Sequence, residues 1–543
     1  MRALGRQREE TELRLWPKIL LFSALLNAVP ANSGLSPDAY GWVVNLVESL
    51  YLHQDRVQAP PLIKAAATGL ADKVHWLIVD TEGDVIYLRH GNGTKLGSLS
   101  VTSMEGLPKG LQTLEEMVVS SGYSLDGVDV RLAILQGMTS GLDRYSTILS
   151  GDRLDRFDVR LKGTYVSIGA TVSIQADKLV VQQVDADGPA HRAKLMAGDL
   201  LLRIDGTSTV NMPVREADRR LRGDAGSHVS LIVRRDGVVL EVSVAREEVV
   251  VPNVSHRVLT GNVGYVRISH FSQRTTQNLS TALRALTALG ALDHGLVIDL
   301  RNNTGGSMKD SARSADLFVE NGMLLRTAGH DGRSVKNLQE HMQARVQDEA
   351  PNIPLAILTN GRTASGSEIM AGALVQLDRA ALVGSRSFGK GTVQKIYRIN
   401  NARLKLTVAR YLLHDNRQIT VDGLAPDLAV SDIRLDSNGM RFVGWSEDIT
   451  GARRDQVLGV VAEHRSWRGE NVESSDMRIE VARRAVSRAT SPSRAAVLEA
   501  LLVAATEIRA EQEEQLVRAL AARDIDWTTD LPPSDDPPLA QVL

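Results

Sequence analysis

The chain contains no cysteine in 543 residues. That excludes disulfides, a thiol nucleophile, iron–sulfur clusters and any Cys-based zinc site. Aromatic residues are scarce at 4%, which argues against stacking platforms for single-stranded nucleic acid. No charge of one sign dominates, since 63 Lys+Arg stand against 65 Asp+Glu for a net −2. There is thus no broad pull toward nucleic acid or an anionic membrane. The 12 histidines show no metal-ligand spacing, and His-Glu-x-x-His does not occur. What remains is an ordinary globular composition, 43% apolar and 24% charged. The length suits about three or four domains.

Long apolar runs are nearly absent too. One, Ile19 to Leu26, follows Arg2, Arg6, Arg8, Arg14 and Lys18, and Val29-Pro30-Ala31 then offers small residues to a signal peptidase. It falls far short of the ~20 residues that cross a bilayer. The expectation is a signal peptide over 1–31 and a periplasmic or secreted protein. Glu9, Glu10 and Glu12 are untypical of such a leader and leave a retained anchor as the alternative.

Residues 32–157 read as a mainly helical region, with apolar residues at helical spacing from Leu62 to Ile78 and from Val128 to Leu142. Asp84 to Leu88 interrupts it as a short strand before a Gly-rich turn. Residues 158–249 turn to short β-branched runs, and 250–433 alternate strands with helices, the sign of an α/β layer architecture. Residues 434–531 read as helical, with a surface open to a homo-oligomer. The Pro-rich stretch 532–543 reads as a disordered tail that finishes in an apolar run with a free carboxylate.

Within 158–249, Asp187-Gly188-Pro189-Ala190 opens a short helix, and Met196-Ala197-Gly198-Asp199 closes it with Gly198 at the left-handed cap. Leu200 to Gly206 follows as strand and turn, Ala217 to Leu221 as a helix, and a hairpin turns at Asp236-Gly237. The run resembles a PDZ domain. The resemblance implies that Val166, Ser167, Ile168, Gly169 and Ala170 form the loop whose amides hold a peptide's terminal carboxylate.

Three segments of 250–433 carry chemistry. Gly295 to Arg301 is a nearly continuous apolar strand that runs into Asn302-Asn303-Thr304-Gly305-Gly306, a turn rich in backbone amides. Leu355 to Leu358 is a second buried strand, followed by Thr363-Ala364-Ser365-Gly366-Ser367-Glu368 at the start of a helix. A serine there faces helix N-terminal amides that can stabilise an oxyanion, although the plainer role of such a serine is an N-cap. The third segment, Gly389-Lys390-Gly391, places a lysine between two glycines 25 positions after Ser365. Removed from water, a lysine loses basicity and becomes able to take a serine proton near neutrality. The same stretch nearly matches a phosphate-binding loop. Gly391 stands where the magnesium-binding hydroxyl belongs, however, and strands follow rather than a helix.

In order, Asp299 to Gly306, Thr363 to Ile369, Phe388 to Gln394 and Asp422 to Asp427 resemble the carboxyl-terminal processing proteases, serine peptidases with an inserted PDZ domain. Leu142-Asp143-Arg144-Tyr145-Ser146 looks like that family's Leu-Asp-Pro-His-Ser signature, departing from it at Arg144 and Tyr145. The resemblance implies an α/β multidomain fold with a crotonase/ClpP-like α/β protease core and a Ser-Lys dyad. In it Ser365 is the nucleophile, Lys390 the general base and Gln394 the residue that orients the lysine. It also implies an oxyanion hole from Gly366 with Gly305 or Gly306, no cofactor, no metal, and protein substrates with apolar C-termini. Family members usually carry alanine where Gly366 stands, and that departure keeps a catalytically weak or inactive PDZ scaffold as the rival reading. Ser367 is the rival nucleophile by position, and His270 the base of a Ser-His alternative.

Overall fold

A computed structural model describes residues 35–329, 341–345, 352–413, 419, 421–436, 439–443, 460–464 and 476–521. The expected leader over 1–31 and tail over 532–543 lie outside the described residues. The described chain forms two units, one from residues up to 155 with 327–329 and 392–410, the other from the rest.

In the first unit, helices Ala39–Leu50, Ala59–Ala71, Leu107–Val119 and Val130–Ser140 turn apolar faces to one core. The hairpin of Thr392–Ile399 with Ala402–Leu412 adds Ile399, Ala402, Leu404, Leu406 and Val408 to that core. Two helices meet backbone to backbone, because a Cβ on Gly69 would lie 2.4 Å from the Cα of Gly137. The single strand expected at 84–88 is one of three, Leu77–Glu82, Val85–His90 and Lys95–Ser100, in an antiparallel meander. The helical spacing read up to Ile78 ends earlier, at Ala71. Leu77 and Ile78 already belong to the first strand.

The second unit holds a β-rich part and an α/β part. The β-rich part enters and leaves through paired strands, Thr164–Ser167 against Glu247–Val250. Between them lie β1 (Ala170–Gln175), β2 (Lys178–Val184), β3 (Leu200–Ile204), β4 (His228–Arg235) and β5 (Val238–Ala245), in the sheet order β5-β4-β3-β2-β1. The β4–β5 hairpin turns on Asp236 at φ 49° and Gly237 at φ 83°. Two left-handed residues are what a type I′ turn needs. A short helix spans Pro189–Arg192 and a longer one, α1, Val214–Leu221. The left-handed position just past the short helix belongs to Lys194 (φ 62°); Gly198 (φ 93°) sits in the following turn, a correction to the expected cap.

The α/β part is a sheet of β6 (Val254–Leu259), β7 (Val263–Ile268), β8 (Leu296–Asp299), β9 (Leu355–Thr359), β10 (Ala381–Gly384), β11 (Leu428–Asp436) and β12 (Gly439–Val443), in that order. A further strand, β13 (Val460–His464), pairs with β11. β7 through β11 run parallel, and β8, β9 and β10 are buried throughout, as a covered parallel sheet demands. The helices are α2 (Thr275–Ala288), α3 (Met308–Asp316), α4 (Gly366–Gln376), α5 (Met477–Arg488) and α6 (Arg494–Ala521). Val481, Ala485, Val497 and Leu501 of the last two pack with Val297, Ala356 and Val383 of the strands. Among the described residues, the region read as wholly helical from 434 therefore holds strands before its first helix at Met477.

Candidate active site

The parallel strands β8 and β9 deliver their following loops to one edge of the sheet. After β8, Asn302 takes φ 63°, and Asn303 is buried with its side chain spent inside the turn. Asn303 Nδ2 donates to Ile268 O at 2.9 Å, and Asn303 Oδ1 accepts the Gly305 amide at 2.9 Å. Phe271 clamps the next residues, its amide donating to Gly305 O at 3.1 Å and its carbonyl accepting Ser307 N at 2.8 Å. Only glycine fits at 306, because a Cβ there would lie 1.9 Å from Phe271 O.

After β9, the chain reaches Ser365 in a strained conformation, φ 57° and ψ −115°, before α4 begins at Gly366. Few non-glycine residues adopt such angles, and holding one there costs on the order of 1–3 kcal/mol. An ordinary N-cap has extended backbone, as Ser307 does at φ −62°, ψ 115° while its Oγ caps α3 at Asp310 N. Ser365 is therefore bent in a way that capping does not require. It is 6% exposed.

Around it, a Cβ on Gly305 would lie 2.7 Å from Gly366 N and 2.8 Å from Ser365 Cβ, and one on Gly366 would lie 3.4 Å from Gly306 N. The glycine turn and the helix start are thus in direct contact. Among the described residues, neither the Gly306 nor the Gly366 amide has a hydrogen-bond acceptor, whereas the Gly305 amide is taken by Asn303. Of the two glycines expected to supply a donor after β8, Gly306 has the free one. Gly305 instead allows the close approach.

Glu368 binds the third segment to this turn. It is fully buried, and its carboxylate accepts Ser365 N at 2.7 Å, Lys390 N at 2.8 Å, Gly389 N at 2.6 Å and Ser387 Oγ at 2.6 Å. Ser387 Oγ in turn accepts Leu424 N at 2.7 Å, which ties in the Asp422 to Asp427 motif. Lys390 is half-buried. A Cβ on Gly391 would lie 1.9 Å from Ile419 O, so the backbone after the lysine runs as close to its neighbours as the paired glycines suggest. Strand Thr392–Ile399 follows, and the phosphate-loop alternative has no helix to support it.

Gln394 belongs to the first unit, where its Nε2 donates to Thr392 Oγ1 at 2.9 Å and Thr407 Oγ1 at 3.4 Å. Thr407 is also where the Leu142 to Ser146 motif arrives. Thr407 N donates to Ser146 Oγ at 3.1 Å, and Ser146 Oγ donates to Asp143 Oδ2 at 2.9 Å. Burial opposes ionisation of Asp143, but the Tyr145 and Ser146 amides and the Ser146 hydroxyl hold it below the usual carboxylate range. The two departures from the signature, Arg144 and Tyr145, stack on each other at 4.9 Å, while Asp143 and Ser146 keep the bonding.

The rival residues have other occupations. Ser367 is fully buried and donates to Asn303 O at 2.8 Å. His270 Nδ1 lies 3.1 Å from Ser269 Oγ, and its Nε2 is buried with no partner among the described residues. Burial, then the charge of Arg160, pushes the His270 pKa down. Asp299, at the end of β8, is fully buried and takes Tyr265 OH at 2.7 Å and Arg301 at 2.6 and 2.9 Å. It anchors the strand end from which the glycine turn departs. Glu368 lies inside the Thr363 to Ile369 motif, where the sequence alone assigns it no role. The Ser-x-x-Glu spacing of a capping box was the signal that could have found it.

In the β-rich part, β1 is the last strand of its sheet. The loop before it, Ser167-Ile168-Gly169, is buried, with Gly169 at φ 70°. Among the described residues the amides of Ile168 and Gly169 have no acceptor, while their carbonyls accept Ala190 N at 2.8 Å and Asp185 N at 2.9 Å. Val166 lies on the paired entry strand and Ala170 opens β1, with Ser167 Oγ 3.5 Å from Leu221 O.

Comparison with known proteins bears on both parts. Residues 262–430 match the model of peptidase family S41, and residues 180–235 match a PDZ domain. A carboxy-terminal-processing protease of Bartonella bacilliformis is 32% identical over 301 residues, 54% of this chain and 68% of that one. The carboxy-terminal processing protease CtpA of Bacillus subtilis is 29% identical over 342 residues, 62% of this chain and 72% of that one. Among solved structures, the photosystem II D1 C-terminal processing protease aligns with 72% of this chain and 92% of its own, at 22% identity and a TM-score of 0.37.

Proposed function

The chain belongs to peptidase family S41 and is a serine-type peptidase with a PDZ domain; on that premise we propose that it cuts proteins near their C-termini with a Ser365–Lys390 dyad. The Ser365 hydroxyl attacks a peptide carbonyl while the uncharged Lys390 amine takes its proton. The amides of Gly306 and Gly366 receive the oxyanion. As the intermediate collapses, the carbon–nitrogen bond breaks and the Lys390 ammonium returns its proton to the leaving amine. Water, deprotonated by the same lysine, then releases the acyl group from Ser365. The reaction needs no cofactor.

The PDZ domain supplies the substrate. An apolar C-terminal tail adds as a strand to the open edge of β1, and its carboxylate rests on the amides of Ile168 and Gly169. The role that the family resemblance gives Gln394, orienting the lysine, belongs to the same proposal.

The observation that carries this reading is the strained Ser365 beside two acceptor-free amides, on a turn that one buried carboxylate ties to the Lys390 backbone. Cleavage of casein and of a peptide with an apolar tail by wild type, S365A and K390A tests it. The variants should lose at least ~10³-fold in kcat/KM; wild-type turnover in either one rejects the dyad.

A further inference from the structure

Four donors converge on Glu368, yet a helix cap uses only one of them, Ser365 N. The other three come from a loop 19 to 22 residues further on. One oxygen, Oε2, takes both the Ser365 and the Lys390 amides. Those two nitrogens are therefore no more than 5.5 Å apart, the 2.7 and 2.8 Å legs laid end to end. The other oxygen, Oε1, takes Gly389 N and Ser387 Oγ. Ser387 is itself locked to Leu424 by two bonds, and a Cβ on Gly423 would lie 2.3 Å from Ser387 O.

We infer that Glu368 is a positioning residue whose carboxylate sets the spacing between the Ser365 elbow and the Lys390 loop. The inference rests on reading Ser365 and Lys390 as the reacting pair. A carboxylate suits the place because it accepts only, and every group facing it donates. Charge-assisted bonds are also the strong ones, and this site is shut off from water. Glutamine has the same shape, but whichever way its amide turns, its NH₂ faces at least one backbone N–H, that of Gly389 or those of Ser365 and Lys390. The loop and the elbow must then separate, and a misplacement of about 1 Å costs roughly 10²-fold in rate. Ser387 is the adjustable member: its hydroxyl passes the fixed position of Leu424 on to the carboxylate.

Steady-state kinetics of E368Q, S387A and S365A on an apolar-tailed peptide, in the full chain, test this. Melting temperature and PDZ affinity for the uncleavable tail are measured alongside. E368Q should lose at least ~10²-fold in kcat per folded molecule, with KM and tail affinity within about twofold of wild type. S387A, which removes one donor of four, should lose about 3- to 10-fold in kcat in the same way. E368Q at wild-type kcat, with S365A inactive, overturns the inference and leaves the dyad standing. If E368Q does not fold, S387A decides, and wild-type kcat there overturns the inference. An active S365A rejects the dyad itself.

Discussion

Replacing Gly306 by alanine perturbs the proposed oxyanion donor without touching either side chain of the proposed dyad. The added methyl carbon would stand 1.9 Å from Phe271 O, a backbone atom that cannot swing aside. A carbon–oxygen contact needs about 3.2 Å, so the turn must give by more than 1 Å. The Phe271 bonds to Gly305 O and Ser307 N, at 3.1 and 2.8 Å, are the ones that stretch. Losing one preorganised oxyanion donor costs about 10²–10³-fold in kcat. KM should change little, because the donor meets the oxyanion and not the ground-state carbonyl. Initial rates on a tailed peptide, with melting curves to count folded molecules, provide the assay. Wild-type kcat in a folded G306A would refute the assignment of the Gly306 amide.

Other substitutions probe separate parts of the account. S367A should keep kcat within threefold and lose about 1 kcal/mol of stability, since Asn303 O retains its bond from Ala364 N; inactivity in a stable S367A would make that serine the nucleophile instead. In G137A the new Cβ would sit 2.7 Å from Ala65 O, so denaturant melts should report a loss of about 1–3 kcal/mol. Hydrogen bonds from Arg483 and then Arg484, opposed by burial, hold Glu480 down at about 2 from an ordinary 4.5. Because its folded pKa is depressed, its contribution is present above pH 4.5 and disappears as pH falls toward 2. After solvent screening it is about 1–2 kcal/mol, read as the difference in melting between wild type and E480Q at pH 6, most of which should be lost by pH 2.

Much of this was legible before any coordinates. Asp236-Gly237 encodes its own turn, and the unbroken apolar runs of β8 and β9 announce strands buried on both faces. Lys390 between glycines announces a tightly packed backbone, and Gly391 against Ile419 O bears that out. What escaped depends on partners distant in the chain. β13 is a short segment that becomes a strand by pairing with β11. The meander at 77–100 hides two of its strands in mixed sequence. Gly305 and Gly306 are interchangeable as letters, and only the Asn303 side chain decides which amide is left over. The bridging role of Glu368 is hidden from local pattern because three of its four donors lie 19 to 22 residues further on.

The proposed dyad passes through a covalent acyl-enzyme, which can be trapped. Rapid acid quench of the enzyme with an activated ester of a tailed peptide, followed by peptide mass mapping, should find one acyl group on Ser365. It should be missing from S365A and should form far more slowly in K390A. An acyl group on Ser367 or on no serine, or equal acylation without the lysine, would contradict the account.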